Sequence, residues 1–188
     1  MTRQTLRNPT AFTPEEREEY ESISRARKPL PDGRVGGPFD AHLLNPELSH
    51  RLRGLGSMLW ERTSLDRGLV ELAISTTGWF WQANVEWAAH APRAVENGIP
   101  QSVIDDIFAG RRPQGMPEQQ LIYDVCMSLH RDHTVPMPLY REAIETFGER
   151  GLMEITAIIG FYTLISMTLN AFEVEVSPGI KPPFTRQP

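Results

Sequence analysis

The chain has 188 residues, of which 40% are apolar, and its 19 basic and 24 acidic side chains give a formal net charge of −5. This length suits one domain with a sizeable core, and the acidic balance argues against a nucleic-acid-binding protein, which usually presents a basic face. The single cysteine, Cys126, excludes an internal disulfide and a Cys-x-x-Cys redox or zinc site within one chain. The polar first ten residues predict no secretory signal. With a mean hydropathy of −0.35 and no long apolar run, we expect a cytoplasmic protein without a membrane partner.

Residues 1–38 predict an N-terminal arm that contains one helix and a connector. A Thr-Pro-Glu-Glu sequence at 13–16 marks the start of the helix, since the threonine can cap it, the proline fits its first turn and the second glutamate completes a capping box. The helix is expected to end near Arg27. Residues 28–38 are rich in proline and glycine and predict a connector rather than a strand.

From residue 39 onward the apolar spacing is helical, and no alternating pattern typical of strands appears. The chain is therefore predicted to be all-α, with about seven or eight helices and a main domain over residues 39–188. The helix that contains Glu71 is expected to end before Gly78, where the chain would turn. The tail 174–188 is expected to be extended. The predicted helices run from Pro46 to about Leu59 and over 64–77, 80–97, 101–109, 117–131, 138–147 and 150–173.

The helix predicted at 150–173 is apolar on nearly every face. Such a helix is normally buried on all sides. It either lies at the centre of the domain or has one face closed by another subunit. We favour the oligomer, because the aromatic side chains between residues 60 and 87 exceed what a small helical core needs.

The densest group of chemically informative residues lies at 67–90. Glu86 and His90 are four residues apart and share a helix face, and Glu71 on the preceding helix would lie opposite them if the two helices are antiparallel. An apolar wall raises the pKa of a carboxyl group, and a nearby carboxylate raises that of histidine. A carboxylate–imidazole–carboxylate group of this kind can hold and move a proton near neutral pH, as general acid–base catalysis requires.

Other interpretations of these residues stay open. A Glu–His pair at this spacing is often only a weak surface contact, and Arg67 and Glu71 could form a plain ion pair. Glu71, Glu86 and His90 could also ligate a metal, although a Glu-x-x-x-His pair alone does not fill a zinc site.

The remaining histidines and the cysteine favour structural roles. His130 and His133 lie at the end of a predicted helix, where cationic side chains suit the helix dipole. His42 and His50 belong to no motif. Cys126 lies among apolar residues and is expected to be a buried, inert thiol.

The segment 71–107, ELAISTTGWFWQANVEWAAHAPRAVENGIPQSVIDDI, resembles the carboxymuconolactone decarboxylase family of the alkylhydroperoxidase D-like (AhpD-like) superfamily. The resemblance extends over roughly residues 35–185. Its most specific feature is Glu71 followed nineteen residues later by His90. It implies an all-α fold, self-association as trimers or multiples of trimers, a small-molecule substrate and no cofactor.

The peroxidase branch of that superfamily has Glu, eleven residues, Cys-x-x-Cys, three residues and His. In this chain the two cysteine positions fall on Ala83 and Glu86, while Glu71 and His90 are kept. Peroxide reduction of that type needs one thiolate to attack and a second thiol to resolve. The residues therefore exclude a disulfide-based alkylhydroperoxidase activity.

The decarboxylase branch converts a carboxylated muconolactone to an enol-lactone during degradation of aromatic compounds. The resemblance implies His90 as proton donor or shuttle, Glu86 as its partner or as the acid/base facing the substrate, and Glu71 as the group that orients His90. A non-enzymatic oligomeric binding protein and a metal-dependent enzyme are the alternatives. The candidate substrate-binding residues are Arg67, which could bind a substrate carboxylate, and Trp81 and Trp87, which would line the pocket.

Overall fold

The computed structural model describes Arg3 and residues 9–185 of the chain. These residues form eight α-helices and a short 3-10 turn at Pro9–Ala11, with no strand among them, which confirms the all-α prediction. Most of the predicted polar arm before residue 13 lies outside the described residues. The helices are α1 (Pro14–Ala26), α2 (Phe39–His42), α3 (Pro46–Glu61), α4 (Arg67–Phe80), α5 (Asn84–Glu96), α6 (Gln101–Phe108), α7 (Pro117–Arg131) and α8 (Met137–Ala171).

Helix α1 begins with the predicted capping box. The backbone N–H of Glu16 donates to Oγ1 of Thr13 at 3.2 Å, and the backbone N–H of Thr13 donates to the Glu16 carboxylate at 2.9 Å. Ile23 of α1 packs with Val35 of the connector and Leu43 in a small core of their own. The division of the chain at residue 38 stays a prediction.

Helix α4 lies at the centre of the main core. All of its residues from Gly68 to Gly78 are buried, and it packs against α5, α7 and α8. Side chains from α4, α5 and the middle of α8 therefore lie close together inside the core. A polar group on α4 therefore lies in an apolar surrounding unless a neighbouring helix supplies its partner.

Helix α4 begins and ends three residues later than the sequence predicts. Ser64 does not cap it, because its backbone N–H and hydroxyl donate to the Glu154 carboxylate at 2.7 and 2.6 Å. Gly78 lies inside the helix rather than at a turn, and its lack of a side chain allows α5 to pack closely, since a Cβ there would lie only 3.0 Å from Cβ of Glu86. The chain turns at Gln82, whose φ of 48° is left-handed, so α5 begins four residues later than predicted.

Helix α8 joins the two helices predicted at 138–147 and 150–173, with left-handed backbone at Gly148 (φ 70°, ψ 171°) between them. By length and composition it could cross a membrane, with a mean hydropathy of 1.6 over its most apolar window. It packs against α4 and α7, and the core helix of a soluble protein has the same composition. Burial on all sides is wrong for the single chain, because Met153, Leu164 and Met167 are exposed.

Candidate active site

The structure brings Glu71, His90 and Glu86 together. Nδ1 of His90 on α5 lies 2.6 Å from Oε2 of Glu71 on α4. Nε2 on the other side of the ring lies 3.3 Å from Oε2 of Glu86, one turn earlier on α5. All three residues are buried, and Glu71 is wholly inaccessible. The imidazole therefore lies between two carboxyl groups, in the order that the sequence predicts.

The carboxylate of Glu71 has partners on every side. Its Oε1 accepts from Nε1 of Trp60 at 3.0 Å and from Nη2 of Arg67 at 2.6 Å. The Arg67 guanidinium also donates to the Trp60 carbonyl and lies over the Trp60 ring, 3.4 Å from its centroid. A carboxylate held by a cation and an indole N–H is an acceptor, so it favours the tautomer of neutral His90 that carries hydrogen on Nδ1. This leaves Nε2 facing Glu86.

Glu86 carries a buried carboxyl group with a raised pKa. Burial raises its pKa, and the negative charge of Glu71 adds to that rise, while His90 and Arg93 oppose it. Its Oε2 has no hydrogen-bond partner among the described residues, although Nε2 of His90 lies nearby. A proton on either Oε2 of Glu86 or Nε2 of His90 would allow a hydrogen bond between these two atoms. Glu86 and His90 can therefore share one transferable proton.

Two neighbours of these groups, Tyr162 and Trp60, are not among the predicted site residues. Tyr162 of α8 meets the His90 ring edge to face, with centroids 5.3 Å apart. Burial raises the pKa of Tyr162, and the carboxylates of Glu86 and Glu71 raise it further. A tyrosine inside an otherwise apolar helix is a sequence signal that could have pointed to it, whereas nothing in the sequence indicates that Trp60 reaches Glu71 from α3.

The residues predicted to bind substrate lie in different places. Arg67 joins the three central residues, but as the ion-pair partner of Glu71. Trp87 packs against Phe108 and Phe184, with ring centroids 5.4 and 5.9 Å away. Trp81 meets the ring of Phe80. Their substrate-binding roles stay predictions.

Two cavities flank α5, and neither is lined by Glu71, Glu86 or His90. The larger, of about 1070 Å³, lies between the connector, α5 and the C-terminal tail. The smaller, of about 440 Å³, lies beside Trp87 and Phe108. Among residues 9–185 and Arg3, no three His, Cys, Asp or Glu side chains converge in a way that would hold a metal ion.

Cys126 and His130 lie in the core behind α4. Cys126 is fully buried, as predicted, and burial raises its pKa. His130 packs as a structural residue, but as a neutral ring rather than as a cation that interacts with the helix dipole. Burial lowers the pKa of His130 to about 4, and its ring stacks on Phe80 with centroids 4.5 Å apart.

Known structures share this arrangement of helices. The AhpD-core, peroxidase-related protein from Ralstonia eutropha JMP134 superposes with a TM-score of 0.75 at 16% identity, over 94% of this chain and 93% of that one. The chain has the AhpD-like fold. A peroxidase-related protein from Silicibacter sp. TM1040 shares the AhpD-like fold at a TM-score of 0.73, with 15% identity over 94% of this chain and 92% of that one.

A third AhpD-like neighbour is the debrominase Bmp8, solved with a cysteine-to-alanine substitution and in complex with 2,3,4-tribromopyrrole. It superposes with a TM-score of 0.66 at 13% identity, over 95% of each chain. No protein-family model and no curated protein matches this chain. The comparisons thus support the AhpD-like fold and do not single out the carboxymuconolactone decarboxylase family.

Proposed function

We propose that this protein is an enzyme that moves protons on a small carboxylated ring compound, using His90 and Glu86 and neither a thiol nor a cofactor. The observation that carries the proposal is the His90 imidazole placed between a charge-paired carboxylate, Glu71, and a buried carboxyl group with a raised pKa, Glu86. This pairing of an oriented imidazole with a second, differently tuned acid is typical of general acid–base sites.

The favoured reaction is loss of carbon dioxide from a carboxylated lactone. The bond between the ring carbon and the carboxylate breaks, and its electron pair moves into the conjugated lactone carbonyl to give an enolate. The enolate carbon then takes the proton shared by His90 and Glu86, and carbon dioxide leaves. In each turnover the ring carbon loses its carboxylate as carbon dioxide and gains one proton. Water then returns one proton to His90 and Glu86, which restores the site.

The site residues divide this work in a way that the geometry supports. Glu71 fixes the ring of His90 and stabilises the imidazolium when the proton is on it. Glu86 is the reservoir, because burial makes its neutral form accessible at higher pH. Neither step requires sulfur, and Cys126, the one thiol of the chain, is buried in the core on α7.

The AhpD-like fold is compatible with this substrate class. One similar structure, the debrominase Bmp8, holds a small ring compound, 2,3,4-tribromopyrrole. A lactone acid is a ring compound of similar size that also carries the carboxylate that decarboxylation requires. As part of the same proposal, the enzyme is cytoplasmic and self-associates as a trimer or a multiple of trimers, which would cover the exposed apolar residues of α8.

A panel of muconolactones and related lactone acids, followed by absorbance and by carbon dioxide release, tests the proposal. We expect turnover by the wild type, and a loss of about 10²–10⁴-fold in His90→Gln with the helical circular dichroism retained. Equal turnover by both proteins would contradict the assignment of His90. Binding of a lactone acid without any turnover would favour the oligomeric binding protein, and stoichiometric transition metal in the purified protein would favour a metal-dependent enzyme.

A further inference from the structure

Arg93 connects the proposed proton-transfer site to the larger cavity. Glu86, His90 and Arg93 follow one another at four and three residues on α5, so they lie along one helix face. The charge of Arg93 acts on Glu86, on Tyr162 and on Arg67. The same residue lines the cavity of about 1070 Å³ between the connector and the C-terminal tail. One residue of α5 therefore both acts electrostatically on the site and lines the cavity.

The charged lining of this cavity is unevenly paired. Three acids line it: Asp40, which accepts from the backbone N–H groups of Val35 and Gly36, Glu173, which pairs with Arg3, and Glu175. Four of the cations, in contrast, form no side-chain ion pair or hydrogen bond with any other described residue, although the guanidinium groups of two arginines among them lie 5.5 and 5.9 Å from aromatic ring centroids. These four are Arg27, Lys28, Arg93 and Lys181.

The four cations come from three different walls of the cavity. Arg27 and Lys28 belong to the end of α1 and the connector, Arg93 belongs to α5, and Lys181 belongs to the tail. The tail is held against α5 by Asn84, whose amide donates to the Phe184 carbonyl at 3.2 Å and whose Oδ1 accepts from the Phe184 N–H at 2.7 Å. Unpaired cations that face one cavity from several walls favour an anionic ligand.

We infer that this cavity binds the carboxylate groups of the substrate, with Arg93 as the residue that anchors the carboxylate nearest to the proton-transfer site. The inference rests on the proposed function for the identity of the ligand as substrate. Arg93 follows His90 by three residues on α5, so a ring whose carboxylate is held by Arg93 would lie beside the helix face that carries His90.

This assignment differs from the sequence-based expectation for Arg67. The Arg67 guanidinium already binds Glu71 and the Trp60 carbonyl, so a substrate carboxylate would compete with a buried ion pair. Arg93 is exposed and has no ion-pair partner among the described residues, although its guanidinium lies 5.9 Å from the centroid of the Trp60 ring. Its planar guanidinium can bind a carboxylate through two parallel hydrogen bonds.

The experiment is titration calorimetry of the full chain with paraconate, a five-membered lactone that carries one carboxylate, and with its neutral methyl ester. We expect paraconate to bind the wild type and to weaken by about tenfold or more in Arg93→Gln. Lys181→Gln on the opposite wall should weaken binding by a smaller factor. The methyl ester should bind poorly to every variant and should not distinguish them.

Arg141→Gln is the matched control, because it removes the same charge from an exposed position of α8 that does not line the cavity. Its affinity for paraconate should equal that of the wild type. Equal losses in Arg93→Gln and Arg141→Gln, or no binding of paraconate to the wild type, would overturn the inference. Failure of the proposed function looks different: paraconate would bind at Arg93, yet no lactone acid would turn over, and His90→Gln would leave the affinity unchanged.

Discussion

Nδ1 of His90 and Oε2 of Glu71 lie 2.6 Å apart, although nineteen residues separate them in the chain. The contact joins α5 to the buried central helix α4. It also fixes which nitrogen of the imidazole faces Glu86, because the charge-paired carboxylate of Glu71 accepts the hydrogen of Nδ1. Orientation of the ring and packing of the two helices therefore depend on the same hydrogen bond.

Replacing Glu71 with glutamine tests this dual role. The variant keeps the shape of the side chain but removes the charge that Arg67 and Trp60 surround, so we expect a loss of about 2 kcal/mol in the free energy of unfolding, measured with urea. The new amide group would donate to Nδ1 and place the hydrogen of His90 on Nε2. We expect turnover of a lactone acid to fall by about 10²-fold as a result.

Glu47→Gln is the control for that experiment. Glu47 pairs with Arg51 at the same spacing of four residues, and both side chains are about three-quarters exposed. Water screens such a pair, so its loss should change stability little. A Glu71→Gln protein as stable as Glu47→Gln would show that the buried pair does not hold α4 and α5 together.

Glu86→Gln should change how stability depends on pH. Burial raises the pKa of Glu86 in the folded protein above its usual 4.5, so folding favours the protonated form. The stability that wild-type Glu86 contributes is complete below pH 4.5 and is lost as pH rises through the raised pKa. We therefore expect the wild type to lose melting temperature relative to Glu86→Gln as the pH rises above 4.5.

The same variant should lose turnover by about 10²-fold, because glutamine cannot return a proton to His90. Glu149→Gln, at an exposed position of α8, removes a carboxylate without touching the site. Its melting temperature should run parallel to that of the wild type over the same pH range. A parallel course for Glu86→Gln as well would mean that Glu86 is not held in the neutral form by folding.

The sequence predicts the helices and the central residues of the site well, because both depend on local spacing. Helical periodicity places Glu86 and His90 on one face, and the proline and capping signals fix where α3 and α7 begin. The start of α4 is missed because Ser64 finds its partner, Glu154, far along the chain. Trp60 and Arg93 are missed as site residues for a similar reason, since their roles depend on how α3, the connector and the tail pack.

His130 provides a second test with pH. Burial lowers its pKa from 6.5 to about 4, so the folded state favours the neutral ring. This stability is complete above pH 6.5 and is lost as pH falls toward 4, because the unfolded chain takes up the proton first. We expect His130→Phe, which keeps a ring against Phe80, to retain more of its melting temperature than the wild type between pH 6.5 and 4. A wild-type His130 that titrates near 6.5 by NMR would contradict the prediction.

Gly78 tests how closely α4 and α5 must approach for the site to form. An added Cβ would lie 3.0 Å from Cβ of Glu86 and 3.4 Å from the backbone nitrogen of Trp87, and neither atom belongs to a flexible side-chain end. We expect Gly78→Ala to cost about 1–3 kcal/mol by overpacking and to lower turnover by displacing Glu86 from His90. Gly160→Ala is the matched control on α8, where a Cβ meets nothing within 4 Å, and it should gain about 0.5–1 kcal/mol from the better helix propensity of alanine. If both alanine variants gain stability and keep full turnover, the two helices do not need this contact, and the distance between Glu86 and His90 is set elsewhere.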